Sequence, residues 1–245
     1  MHKNILALAA IAGGALAAAT PVAAQEIEHR ANTRGLFING HINGSSAKYD
    51  DPSTTESGGG GGFQVGYGIN RNFTVYVGYD GSRLDFASGD LSEPGDFSVV
   101  FEDKYWLKQL ELGARWNFVS PVRTWVPYVD LAFTRPSGGS DFSIFPDDDG
   151  DPATSPEDDD GTPGRDASVD GEFELEDGSA FTVGGGVTWF FSQKLALDVN
   201  LKYSGVKFDG VKLSAGGFTE TGDEDTKFGL TRVNFGLSWY PLLGR

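Results

Sequence analysis

The richest cluster of possible metal ligands in this chain is an acidic segment near its middle. Residues 141–177 contain fifteen Asp and Glu side chains and one basic residue, Arg165. The unit Asp-Asp-Asp-Gly occurs there twice, at 147–150 and 158–161, and alternate carboxylates ahead of a glycine turn can bind hard cations such as Ca²⁺. The EF-hand spacing does not fit, because an apolar residue or a proline stands at the first ligand position. The candidate ligands are Asp147, Asp149, Asp151, Asp158 and Asp160.

We interpret this acidic segment as a solvated loop, because high charge together with Pro and Gly prevents the formation of a core. Loose binding of a divalent cation is the alternative, and no other cofactor is expected. The segment also explains the charge of the chain, because fifteen acids against one base supply −14 of the net −16. The remainder is nearly neutral, so nucleic acid is not an expected partner.

Histidine, the side chain most often used for proton transfer, is scarce. Beyond the N-terminal segment only His29 and His41 remain. His41 falls beside Asn39 and Asn43 on the polar face of the first predicted strand, where a buried polar filler is the more common role. Serine-containing turns show no nucleophile-elbow pattern, and the chain has no cysteine. We therefore predict no catalytic residues and no enzyme activity.

The N-terminal residues 1–24 have the pattern of a secretory signal peptide. A basic start at His2 and Lys3 precedes an apolar stretch at 5–19, and small residues at 22–24 suit cleavage before Gln25. The apolar stretch is too short to serve as a spanning helix. Residues 25–245 are then expected to form one exported domain, and the absence of other long apolar runs excludes a helical membrane protein.

The rest of the chain alternates apolar and polar residues in eight segments of about ten residues each, as transmembrane strands do. The connections also alternate, because the second, fourth and sixth are only a few residues long, whereas the others are long at about 45–60, 85–104, 135–178 and 207–226. Outer-membrane barrels have this bias, with short periplasmic turns and long outer loops. We predict an all-β, eight-stranded antiparallel up-and-down transmembrane β-barrel. The predicted strands are residues 34–44, 61–70, 73–81, 106–118, 124–133, 180–191, 195–206 and 227–240.

The two faces of these strands differ in charge. One face is apolar and carries no charge, and the other is polar with interspersed glycines. A soluble lipocalin-like barrel would turn its apolar face inward, so the faces alone do not decide between the two barrels. The positions of aromatic residues favour the membrane barrel, because they lie beside the short turns or the C-terminus, where a periplasmic girdle is expected. The predicted girdle comprises Phe73, Trp116, Phe118, Trp125, Trp189, Trp239 and Tyr240.

Charged residues on the polar face would lie inside the barrel, which in an eight-stranded barrel has room only for side chains. Buried charges must be paired. Counting residues from the periplasmic end of each strand places these charged side chains at two levels, or tiers, and each tier contains both acidic and basic residues. A plug held by salt bridges is the favoured interpretation, and a gated or very narrow conduction path is the alternative. One tier comprises Asp80, Glu111, Lys202 and Arg232, and the other comprises Arg115, Asp130 and Asp198.

Two stretches, "GGGFQVGYGINRNFTVYVGY" (60–79) and "VNFGLSWYP" (233–241), together with the signal peptide and the eight segments, carry a family resemblance. The chain resembles the small outer-membrane β-barrel superfamily of opacity-type proteins, the barrel domain of OmpA, and OmpW. The resemblance implies a protein of the Gram-negative outer membrane that is surrounded by lipid. We expect a monomer with a structural or surface-interaction role and an unidentified surface ligand. A narrow channel for small solutes is the first alternative, and a soluble periplasmic ligand-binding barrel is the second.

Overall fold

The structure is a computed structural model, and it describes residues 31–49, 54–85, 97–101, 104–120, 123–146, 169–176, 178–222 and 226–241. The predicted signal peptide and the candidate metal ligands at 147–160 lie outside these ranges. Within them the chain forms twelve strands: β1 (Gly35–Tyr49), β2 (Thr55–Gly68), β3 (Phe73–Asp85), β4 (Phe97–Phe101), β5 (Lys104–Asn117), β6 (Trp125–Pro146), β7 (Val169–Glu176), β8 (Ser179–Phe190), β9 (Leu195–Phe208), β10 (Gly210–Ala215), β11 (Phe218–Gly222) and β12 (Thr226–Trp239). No helix in these ranges is long and apolar enough to cross a membrane.

Eight of these strands close into a barrel. They follow one another in the order β1, β2, β3, β5, β6, β8, β9 and β12, and each pairs with the next in antiparallel fashion. The last strand, β12, pairs with β1 from Ile38↔Trp239 to Tyr49↔Phe228 and so closes the sheet. The prediction of an eight-stranded up-and-down barrel is confirmed. Closure satisfies the edge hydrogen bonds that an open sheet would expose to lipid.

At the end opposite the short turns, strands continue past the barrel. The far half of β6 pairs with β4 and with β7, and β10 and β11 extend the sheet from β7. The predicted loops 45–60, 85–104, 135–178 and 207–226 were therefore wrong in extent, because strand residues occupy part of each. The regular apolar–polar alternation of the sequence ends before backbone pairing does. Hydropathy thus located the alternating part of each strand rather than the full strand.

The barrel has an apolar exterior and a polar interior. Ile42, Leu112 and Phe133 are among the most exposed apolar side chains, at 69%, 65% and 59%, and all three point outward. Asn39, Gln64 and other polar residues of the opposite parity are buried inside. This arrangement is the reverse of a soluble barrel and suits a lipid environment.

Candidate functional site in the barrel interior

The first tier of interior charges is centred on Glu111 of β5. Its two carboxylate oxygens accept hydrogen bonds from Lys202 of β9, at 2.5 Å, and from Arg232 of β12. Arg232 also contacts Asp80 of β3, with Nη1 and Oδ2 3.1 Å apart. All four side chains are at most 1% exposed. The structure thus brings together the four residues that the sequence placed at one level.

Sequence reasoning did not include His41 in this tier. Its Nε2 lies 2.6 Å from Asp80 Oδ1, and its Nδ1 lies 3.0 Å from Asn39 Oδ1. The contact crosses β2 at Gly62, which is paired with His41 on one side and Asp80 on the other. A Cβ at Gly62 would lie 2.9 Å from both contacting atoms, so glycine leaves the space for this hydrogen bond. The arrangement that predicts this contact is the row His41–Gly62–Asp80 across the three neighbouring strands β1, β2 and β3. It can be recognised only when the register of these strands is known.

The second tier is centred on Arg115 of β5. Its guanidinium lies 3.4 Å from Asp130 and 3.7 Å from Asp198, and it stacks 3.7 Å from the ring centroid of Tyr128. Asp198 also accepts hydrogen bonds from the Tyr128 hydroxyl and from Thr188 Oγ1, both at 2.7 Å. Hydrogen bonds to a buried carboxylate offset part of its desolvation cost. The stacked tyrosine was a further component that the sequence did not indicate.

Apolar side chains fill the barrel on both sides of the charged tiers. At the outer end, Leu84, Leu107, Phe208 and Leu230 belong to one buried cluster, each at most 1% exposed. Towards the periplasmic end, Phe37, Phe190 and Tyr240 belong to a second cluster, which also includes Tyr76 between Arg115 and Lys202. Both ends of the interior are thus mainly apolar, and the outer cluster also includes Tyr105, whose hydroxyl donates a hydrogen bond to the buried carboxylate of Glu56 at 2.7 Å.

The predicted aromatic girdle lies on the outside of the barrel, with one exception. Tyr240 is only 3% exposed and packs inward against Phe37 and Phe190, with ring centroids 5.9 and 5.0 Å away. Including it in the girdle was wrong, because Trp239 points outward and the next residue of an extended chain must point the other way. The remaining members are half-buried or exposed: Phe73, Trp116, Phe118, Trp125, Trp189 and Trp239.

The chemistry of these residues is that of ion pairing. In the part of the chain that the structure describes, no group of three or more His, Asp and Glu side chains is arranged to hold a metal ion. Asp147, Asp149, Asp151, Asp158 and Asp160 lie outside that part, so loose cation binding by the acidic segment stays a prediction.

A closed antiparallel barrel with an apolar exterior and a sealed edge defines the class of transmembrane β-barrels. The chain belongs to the family of outer-membrane β-barrel proteins, because residues 6–240 match the model of the outer membrane protein beta-barrel domain. It is therefore a protein of the Gram-negative outer membrane. This location removes the soluble periplasmic barrel from the alternatives.

Several solved structures match this chain, and the first of them shows the same fold. Neisserial surface protein A is 11% identical, and the match covers 84% of this chain and 97% of that chain with a TM-score of 0.52. Ail, the attachment invasion locus protein of Yersinia pestis, is 12% identical over 84% and 99% of the two chains, with a TM-score of 0.42. OprG from Pseudomonas aeruginosa is 13% identical over 86% and 96%, with a TM-score of 0.43. No curated protein matches this chain significantly.

Proposed function

We propose that the barrel is closed to solutes and that the protein acts, as a monomer, in a structural or surface-interacting role in the outer membrane. The observation that carries this proposal is the burial of the interior charges. The seven charged side chains of the two tiers are each at most 4% exposed. A conducting path of the kind considered above would need water in contact with some of them.

The energetics of the interior also favour a closed barrel. Separating Glu111 from Lys202 and Arg232 would leave the carboxylate and the lysine without an ion-pair partner among the described residues, in a site of low dielectric constant, which costs several kcal/mol for each uncompensated ion. An ion crossing the barrel would also pass two clusters built mainly of apolar side chains, which provide few polar ligands to replace its hydration shell. A sealed interior therefore has two independent barriers.

Planar-bilayer recording of the purified protein tests this proposal. We expect no unit openings from the parent protein and measurable current from Glu111→Ala, because loss of the carboxylate releases two cations from their shared partner. Leu112→Ala is the matched control, since Leu112 is the neighbouring residue but points outward and is 65% exposed. Stable unit openings of the parent would instead support a narrow channel.

The surface role is supported by the sheet that continues beyond the barrel. All five residues of β11 are exposed, and Phe218 at its start is 84% exposed. In β10, Lys212 pairs with Glu174 of β7 at 3.1 Å. The exposure of this extension supports a role in contact with molecules outside the barrel.

Cysteine labelling on intact cells tests the position of the extension. Because the chain has no cysteine of its own, only the introduced residue can react. Leu213→Cys in β10 should react with a membrane-impermeant maleimide on intact cells. Gln193→Cys, in the short turn between β8 and β9, should react only after permeabilisation. The opposite pattern would place the extension in the periplasm and remove the surface role.

The same geometry supports the absence of catalysis. His41 is buried inside the barrel and engaged by Asp80 and Asn39, which argues against its contact with a substrate at either membrane surface. His29 lies outside the described residues. An assay of outer-membrane preparations for hydrolysis of peptide and lipid-ester substrates should give the same rates with and without the protein.

A further inference from the structure

The chain contacts the interior of the barrel before its first strand begins. Residues 31–34, which we name the periplasmic strap, precede Gly35, the first residue of β1. Ala31 and Thr33 of the strap are only 5% and 3% exposed, although neither belongs to a strand. Ala31 is part of the same buried cluster as Tyr240. The strap therefore lies against inward-facing side chains at the end of the barrel that has the short turns.

A turn at Gly35 directs the strap towards the interior. The φ angle of Gly35 is 94°, in the left-handed region that residues with a Cβ rarely adopt. A straight continuation of β1 would carry the preceding residues away from the barrel by about 3.3 Å each and leave them exposed. The turn explains why Ala31 is buried instead.

The strap passes directly over Gly68 at the periplasmic end of β2. Gly68 is paired with Gly35 in the β1–β2 ladder. A Cβ at Gly68 would lie 1.9 Å from the carbonyl oxygen of Thr33 and 2.9 Å from the Cα of Arg34. Any side chain at this position would collide with the backbone of the strap. The two paired glycines thus have separate roles, because one allows the turn and the other leaves space for the strap.

A hydrogen bond anchors the strap to the short turn between β2 and β3. The Thr33 hydroxyl donates to the backbone carbonyl of Arg71, with the two oxygens 2.5 Å apart. Within the strap, the backbone N–H of Arg34 donates to Asn32 Oδ1 at 3.1 Å, which is the Asx-turn contact that stabilises a bend. The strap therefore has a defined shape and a defined point of attachment.

The strap lies outside the ladders that hold the barrel together. The pairing of β1 begins at Gly35 with β2 and at Ile38 with β12. The contacts that the structure shows between the strap and the barrel are the Thr33 hydrogen bond, the burial of Ala31 and the close approach to Gly68. A segment with few buried contacts opens at a lower free energy than the strands beside it. The strap can thus leave the barrel without the loss of a ladder hydrogen bond.

We propose that the periplasmic strap is a lid, which closes the periplasmic mouth over the apolar cluster and opens by rotation at Gly35 while the barrel stays folded. The open state exposes the aromatic rings of Phe37 and Tyr240 to small molecules from the periplasm. The proposal is independent of whether the interior conducts, because it concerns only access from the periplasm to this cluster.

The reactivity of a cysteine placed in the cluster tests the proposal. Ala196 is a member of the cluster and is 0% exposed, so Ala196→Cys is a reporter of opening. The rate at which a small methanethiosulfonate reagent modifies it in the purified, folded protein follows the open fraction when opening and closing are fast. Adding Thr33→Val removes the anchoring hydroxyl at nearly constant size. This change should raise the rate about fivefold, the typical effect of one intramolecular hydrogen bond on an equilibrium.

A second reporter separates local opening from loosening of the whole barrel. Ala47 is also 0% exposed, but it belongs to the cluster at the outer end. The modification rate of Ala47→Cys should not change when Thr33→Val is added. An equal rise at Ala47→Cys and Ala196→Cys would overturn the proposal, because it would show general destabilisation rather than the opening of a lid.

Two matched variants control for the substitutions themselves. Thr231→Val makes the same change as Thr33→Val at an exposed position of β12, and it should leave the rate at Ala196→Cys unchanged. Gly68→Ala should raise that rate at least as much as Thr33→Val does, because its Cβ collides with the strap. Gly44→Ala should not, since a Cβ there would meet no atom within 4 Å. Equal rates in Thr33→Val and Thr231→Val would overturn the proposal.

Removal of the strap gives the largest expected effect. The chain from residue 34 onward is compared with the chain from residue 25 onward, both refolded in detergent and both carrying Ala196→Cys. The shorter chain should be modified fastest, and modification as slow as in the longer chain would overturn the proposal, since the mouth would be closed without the strap. If the shorter chain gives no heat-modifiable band, the comparison of Thr33→Val with Thr231→Val decides, because each changes only one side chain.

Discussion

The charged interior predicts a specific pattern of energetic coupling around Glu111. Its carboxylate contacts Lys202 at 2.5 Å and also contacts Arg232. Arg232 keeps Asp80 as a second partner at 3.1 Å, whereas the structure shows no second carboxylate paired with Lys202 among the described residues. Removal of Glu111 therefore leaves the lysine as the less compensated cation.

Glu111→Ala should reduce the free energy of unfolding by about 3–5 kcal/mol, the usual cost of removing one partner from a buried ion pair. Lys202→Ala should cost less, because Glu111 would still contact Arg232. The double variant should recover part of the loss, with a coupling energy of about 2 kcal/mol. The cycle of Glu111 with Arg232 should give a smaller coupling, since its double variant still contains an unpaired lysine.

Reversible urea unfolding in phospholipid vesicles, followed by tryptophan emission, measures these energies. The control cycle combines Glu111→Ala with Asn117→Ala, six residues and about 20 Å further along β5. That pair should be additive to within about 0.5 kcal/mol. Equal additivity in the Glu111–Lys202 cycle would refute the reasoning, because it would mean that the two side chains do not share a buried contact.

The faces of the barrel and its outer segment support three further predictions. Val199→Arg should destabilise the barrel by about 2–4 kcal/mol in the same unfolding assay, because Val199 faces the lipid; a neutral result would reverse the assignment of the faces. Gly62→Ala should weaken the contact between His41 and Asp80 and lower stability by about 1–3 kcal/mol, whereas unchanged imidazole resonances in NMR spectra would contradict that effect. Deletion of residues 147–168 should leave heat-modifiable migration on gels intact, and loss of the folded band would make the acidic segment part of the fold.

The number of barrel strands and the two faces were evident from the sequence. Side chains of a strand alternate between faces with a period of two, and lipid requires one face to be apolar and uncharged. This local rule also placed Glu111 and Lys202 inside the barrel. Counting residues from the short turn at the periplasmic end of each strand put the two side chains at a similar height. It further requires that Tyr240 point inward once Trp239 points outward, although aromatic type alone had suggested the girdle.

Other contacts depend on which strands are neighbours and how they are shifted relative to one another. The hydrogen bond between His41 and Asp80 exists because β2 places Gly62 between them. The sheet beyond the membrane also depends on backbone pairing, which has no hydropathy signal. Periodicity is local and can be counted along one strand, whereas register is set by hydrogen bonds between strands and by barrel closure, so only the tertiary structure decided these contacts.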